Sequence, residues 1–199
     1  LKGKALIIGA ENTPYKYGYY FFEFNFPVDY PFSPPKLSFH TNDGITRFNP
    51  NLYRNGKVCL SILNTWRGEQ WTSCQNISTI LLTLITIFNK NPLTNEPGYS
   101  ASSSWCEPYS KSIEFMNFKT SIINMINKKF LQPQFVIFYP TILEYFKKNK
   151  ENILKKISNN IDSDFDNKKI TLDVYDRMII IISYSKLEDD FKTLINKIN

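Results

Sequence analysis

An α+β fold, with short antiparallel strands leading into a series of helices, is what this sequence predicts, and three observations carry the prediction. Aromatic residues alternate along Tyr19 to Phe26, where Tyr20, Phe22, Phe24 and Phe26 interleave with Tyr19, Phe21, Glu23 and Asn25, the period-two signature of a strand. Four prolines fall within Phe26 to Pro35, which forbids helix and interrupts any ladder, so this segment is a rigid, extended connection. From Asn76 onward the apolar residues recur at helical spacing instead.

The elements follow in chain order. Lys4 to Gly9 is a short apolar run ended by glycine, and Lys36 to His40 is a third strand; polar turns between the three give an antiparallel meander. From Thr41 to Trp71 the periodicity fails. Asn42-Asp43-Gly44, Asn49-Pro50-Asn51 and Asn55-Gly56 are turn chemistry around one brief apolar piece, Val58 to Leu63, and loop-dense stretches of this kind often hold sites. Asn76 then opens a helix, because Ile77, Ile80, Leu81, Leu84, Ile87 and Phe88 fall on one face and Asn91-Pro92 closes it. Ser100 to Ser104 is a small, polar linker. Beyond it three helical stripes are expected: Phe115, Phe118, Ile122 and Ile126; Leu143, Phe146, Ile153 and Ile157; and Leu187, Phe191, Leu194 and Ile198, the last two separated by a polar break at residues 161–169.

Composition removes several function classes. A chain of 199 residues buries enough surface to need no disulfide or metal staple. Its cysteines, Cys59, Cys74 and Cys106, are odd in number and scattered, so neither a disulfide framework nor a redox or metal Cys-x-x-Cys motif exists, and a reducing compartment, cytoplasm or nucleus, is expected. One histidine and dispersed cysteines supply no metal-ligand spacing. The longest charge-free stretch, Trp71 to Asn89, carries too many Thr, Ser, Asn and Gln residues for a membrane span. A net charge of +6 would suit nucleic acid, but the lysines are spread along the chain and densest on the helical C-terminal part, where solvated faces account for them.

The remaining chemistry is that of Cys59. A lone cysteine after a turn is ordinarily a small core residue, and a cysteine hydrolase needs a histidine base, for which His40 at a strand end is the sole supply. Thioester exchange makes a smaller demand: thiolate replaces thiolate on an acyl carbon, nearly without change in free energy and with little proton management. Such a site still gains from an oxyanion donor, worth about 3 kcal/mol in a transition state. Asn51, eight residues before Cys59 and set in a turn by Pro50, can supply that amide, although Asn49-Pro50-Asn51 also reads as a simple Asx turn.

Phe26-Pro27-Val28-Asp29-Tyr30-Pro31-Phe32-Ser33-Pro34-Pro35-Lys36, Asn49-Pro50-Asn51 eight residues before Cys59, Trp71 and the Ile77 to Asn89 helix together resemble the catalytic core of ubiquitin-conjugating enzymes over about residues 4 to 98. The run Arg47 to Leu63, the pair Trp66 and Trp71, and Asn91-Pro92 through Asn95-Glu96-Pro97-Gly98 resemble the large Z-type branch of that family in particular. The resemblance implies a four-stranded antiparallel meander with flanking helices, a conjugating core at residues 1–130 and a helical C-terminal extension at 131–199. It implies that Cys59 takes ubiquitin or a ubiquitin-like protein from an activating enzyme as a thioester, without a cofactor, and delivers it to substrate lysines or a ligase. Asn51 then stabilises the oxyanion, Asn49 and Pro50 set the turn, Glu96 is the candidate acidic helper, and Phe32, Trp71 and Ser73 form the ligase-facing surface.

Three departures from the family pattern stand out. Asn49 replaces the usual histidine, as in the Z-type branch; Thr72-Ser73-Cys74 replaces the Ser-Pro-Ala that commonly follows the tryptophan; and the sequence begins on the first strand rather than on the family's amphipathic helix. A rival expectation is a conjugating fold kept as a scaffold, a binding module with impaired catalysis.

Overall fold

The computed structural model describes residues 1–175 and 177–198. Three strands, β1 (Lys2–Ile8), β2 (Tyr19–Asn25) and β3 (Lys36–Phe39), form one antiparallel sheet in the order β1-β2-β3. Ala5 lies opposite Phe22, and Phe22 opposite Phe39, so one row of side chains runs across all three. The connection from β2 to β3 is the proline-rich segment, which contains a cis peptide between Tyr30 and Pro31.

The expected fourth strand is reduced to isolated bridges that pair Ser38 with Lys57 and Leu52 with Val58. The cause is local: the turns at Asn49-Pro50-Asn51 and Asn55-Gly56 divide the segment, and Pro50 has no N–H to give to a ladder. Gly56 is required at its position, because it has φ +86° and a Cβ there would meet the Phe39 carbonyl oxygen at 2.9 Å. The Phe39 N–H donates to Gly56 O at 2.8 Å, which fastens the loop to β3.

Helix α1 (Ile77–Ile87) begins where Asn76 predicts it. The Asn76 side chain accepts from the Thr79 N–H, and Thr79 accepts in return from the Asn76 N–H, a reciprocal capping box. Ile80, Leu84 and Ile87 are buried, so the core face is the one the spacing indicates. No helix among the described residues is long and apolar enough to cross a membrane.

The C-terminal part is helical with one addition. α2 (Cys106–Met116) runs through a π-helical segment (Asn117–Ile123) into α3 (Asn124–Ile126), and Phe115, Phe118, Ile122 and Ile126 are all buried. α4 (Tyr139–Ser158) buries Ile142, Phe146, Ile153 and Ile157, with Leu143 half-buried beside them, and α5 (Tyr184–Ile198) buries Tyr184, Leu187, Phe191 and Leu194. Between α4 and α5 stands an unexpected hairpin, β4 (Lys169–Leu172) paired antiparallel with β5 (Met178–Ile181). Its signal is the β-branched run Ile179 to Ile182, which alternates exposed and buried residues.

This C-terminal part explains why Tyr19, Tyr20, Phe21 and Phe22 are buried on both faces of β2 where alternation suggests one. Tyr20 and Phe22 pack on Phe88 after α1, while Phe21 meets Phe135 and Phe138, and Tyr19 meets Tyr145, from the opposite side. One hydrophobic cluster runs through the whole molecule.

Candidate functional site

The turn before Asn51 is held from beneath by Asn49, which is fully buried. Its amide donates to the Tyr15 hydroxyl at 2.9 Å and to the Ile87 carbonyl at the end of α1 at 2.8 Å, and its Oδ1 accepts the Asn51 N–H at 3.0 Å. Asn95 reinforces the joint, donating to Asn49 Oδ1 at 3.3 Å and to Ile87 O at 2.9 Å. A buried amide with every group engaged is a rigid anchor, and losing it strands its partners. Asn49→Ala is therefore expected to lower stability by about 2 kcal/mol. A reduced denaturation midpoint with unchanged slope would verify this.

Asn51 and Cys59 face each other across the loop. The Cys59 N–H donates to Asn51 O at 2.9 Å, and Asn51 Nδ2 donates to Cys59 O at 2.7 Å. The amide of Asn51 is thus already on the cysteine; among the described residues its second N–H is uncommitted and its Oδ1 is buried without a partner. Cys59 is 2% exposed and stands outside the core cluster that takes in its neighbours Val58 and Leu60. Thr65 closes the far side of the loop, its hydroxyl accepting from Leu60 N–H at 2.9 Å and lying 3.0 Å from Val58 O. Beyond Thr65 opens a cleft of about 920 Å³ lined by Asn64, Thr65, Trp66, Arg67, Gln70 and Pro97.

Glu96 follows Asn95 and so borders the same turn. Its carboxylate is engaged, accepting from the Tyr175 hydroxyl at 2.8 Å. Burial, and then the Glu96 contact, push the Tyr175 hydroxyl well above its ordinary pKa, so it remains a proton donor. Of the three residues expected on a ligase-facing surface, two are exposed and one is buried. Phe32 is 79% exposed and Ser73 is exposed, while buried Trp71 donates its indole N–H to Pro31 O at 2.7 Å and its backbone N–H to Asn64 Oδ1 at 2.9 Å. The tryptophan fastens the proline-rich segment to the loop that follows the cysteine.

His40 takes no part in this arrangement. Its Nδ1 is 2.9 Å from Gln132 Oε1 and its ring packs on Phe135 at 5.0 Å, both residues of the C-terminal part. Cys74 is exposed, and Cys106 is buried in α2. Among the described residues no group of three or more His, Cys, Asp or Glu side chains is placed to hold a metal ion.

The structure also brings to the turn residues that sequence reading does not single out. Arg47, buried, donates from Nε to Asn49 O at 3.2 Å and from Nη2 to Pro50 O at 2.6 Å. Its guanidinium lies 3.4 Å from the Tyr53 ring centroid and 4.7 Å from that of Tyr175. Tyr109 of α2 donates to Arg47 O at 2.6 Å, and Arg54 donates to Tyr175 O at 2.7 Å. Tyr175 sits in the turn of the hairpin that the periodicity does not reveal, which is why no sequence signal joins it to Arg47.

The family model described as ubiquitin-conjugating enzyme matches residues 1–118. The chain is 37% identical over 147 residues to ubiquitin-conjugating enzyme E2 Z of Xenopus tropicalis, covering 71% of this chain and 47% of that protein. It is 38% identical over 147 residues to the human and the Danio rerio proteins of the same name, again over 71% of this chain and over 42% and 45% of theirs. The chain therefore spans less than half the length of these relatives.

Proposed function

Because this chain belongs to the ubiquitin-conjugating enzyme family, in its Z-type branch, we propose that Cys59 accepts the C-terminus of ubiquitin or a ubiquitin-like protein from an activating enzyme and passes it to a substrate lysine or a ligase. The observation that carries this reading is the Asn51–Cys59 pair, an amide donor held on the cysteine by a turn that is itself anchored through Asn49. In the first step the Cys59 thiolate attacks the acyl carbon of the modifier bound to the activating enzyme. A new S–C bond forms, and the old one breaks to release the other thiolate. In the second step an amine attacks the Cys59 thioester, the N–C bond forms, a proton leaves the nitrogen, and Cys59 departs as thiolate.

The two steps make different demands. Exchange of one thiolate for another needs no general base, whereas amine attack builds an oxyanion and sheds a proton. Asn51, with one N–H uncommitted, serves the oxyanion, and Glu96 at the rim of the turn serves the incoming lysine. The cleft beside Thr65 and Trp66 gives the modifier's tail a path to the cysteine. Phe32 and Ser73 belong to the surface on which a ligase docks, with buried Trp71 packing behind. Residues 1–130 act as the conjugating core and 131–199 as its extension, and the reaction runs in the cytoplasm or nucleus.

A gel-resolved, thiol-sensitive adduct formed with activating enzyme, ATP and ubiquitin is the expected result, and its absence would count for the scaffold reading. His40→Ala distinguishes this chemistry from a Cys-His hydrolase. Since the His40 ring is committed to Gln132 and Phe135, the variant should charge within about twofold of the parent rate, as thioester exchange needs no imidazole. Abolished charging in a variant with an unchanged circular dichroism spectrum would favour the hydrolase.

A further inference from the structure

The hairpin of the C-terminal part reaches back to the turn that carries Asn51, and we propose that Tyr175 is a positioning residue for lysine attack. In this assignment its ring holds the Asn49-Pro50-Asn51 turn through Arg47, and its hydroxyl holds the Glu96 carboxylate. The proposal rests on the reading of Cys59 as the thioester site.

A guanidinium cannot lose its proton in a protein, and burying it away from a carboxylate is costly unless other groups replace water. Arg47 is 8% exposed, and among the described residues its side chain meets the carbonyl oxygens of Asn49 and Pro50 and the rings of Tyr53 and Tyr175. The carbonyls supply hydrogen-bond acceptors and the ring faces supply the negative end of their quadrupoles. Without the Tyr175 ring, Arg47 is drawn toward water and its hold on the two carbonyls weakens. Those carbonyls bound the peptide that leads into Asn51, whose backbone and side chain both bond Cys59.

Tyr175 is itself held in place. It has φ 61°, a left-handed conformation uncommon for a residue with a large side chain, and Arg54 donates to its carbonyl at 2.7 Å. Tyr109, whose ring centroid is 6.1 Å from that of Tyr175, bonds the Arg47 carbonyl. Strained backbone kept in position by this many contacts concentrates at working sites. The hydroxyl of Tyr175 stays protonated and donates to Glu96 at 2.8 Å, which fixes the carboxylate at the rim of the turn. The extension thereby reaches both groups assigned to aminolysis, Asn51 through Arg47 and Glu96 directly.

The three cysteines provide the test, because Cys59 is buried in the loop, Cys74 is exposed and Cys106 is buried in α2. Alkylation by iodoacetamide, followed site by site by mass spectrometry on the whole chain, needs no activating enzyme. Tyr175→Ala should speed alkylation of Cys59 roughly tenfold while Cys74 and Cys106 keep their parent rates, the mark of a local opening. Tyr175→Phe keeps the ring over Arg47 and should protect Cys59 to within about twofold of the parent. An unchanged Cys59 rate in Tyr175→Ala, Cys59 and Cys106 rising together, or Tyr175→Phe behaving like Tyr175→Ala would overturn the assignment. In single-turnover assays Tyr175→Ala should also lower lysine discharge relative to charging roughly tenfold. An unchanged ratio, or faster discharge, would equally overturn it. A parent chain that fails to charge would sink the transferase reading alone, since the alkylation pattern decides the hold on the loop independently.

Discussion

Cys59→Ser is expected to convert a labile adduct into a stable one: an oxyester with the modifier that survives reducing agent, hydrolyses in mild alkali and does not pass to lysine. A serine oxygen in the same position can be acylated slowly, but alkoxide is a far poorer leaving group than thiolate, so amine attack stalls. Transfer should fall below detection, while Cys74→Ser and Cys106→Ser charge and discharge like the parent. Cys74 is exposed, and Cys106 is bonded to the Ser100 carbonyl. Denaturing gels with and without thiol separate the species. A thiol-sensitive adduct persisting on Cys59→Ser would move the site elsewhere.

Asn51→Ala should separate the two steps that share this cysteine. The Asn51 amide donates one N–H to Cys59 O and has a second to offer. When an amine attacks, the thioester oxygen becomes an oxyanion, and loss of one positioned donor costs about 3 kcal/mol, on the order of a hundredfold in rate. Charging, in which thiolate attacks and thiolate leaves, should stay within a few-fold of the parent. The bond to Cys59 O allows a contrary outcome as well: if Asn51 only braces the loop, its loss loosens Cys59 and depresses both rates alike. Single-turnover charging and discharge to free lysine, measured on one preparation, tell the two apart.

Much of this site is legible from the chain because its geometry is local. Asn51 and Cys59 lie eight residues apart, Asn49-Pro50-Asn51 and Asn55-Gly56 carry their turns in their own chemistry, and Asn76 announces its helix. The strands emerge from the period-two pattern of β2. What stays hidden depends on distant partners. The second buried face of β2 is made by Phe135, Phe138 and Tyr145, which no alternation within the strand can announce. The fourth strand fails as a ladder because turns that are easy to read one by one also interrupt its pairing. Tyr175 reaches Arg47 and Glu96 across 128 and 79 positions of sequence from a hairpin outside the helical periodicity, so only the folded chain joins them.

Whether Cys59 carries the modifier is decided by intact-mass analysis of the chain after incubation with activating enzyme, ATP and ubiquitin. A thioester on Cys59 gives a mass increase of one ubiquitin less one water, removed by thiol, absent without ATP, and blocked by prior alkylation of Cys59 but not of Cys74. No such species, while a reference conjugating enzyme in the same mixture becomes charged, or an adduct that survives alkylation of Cys59, would contradict it.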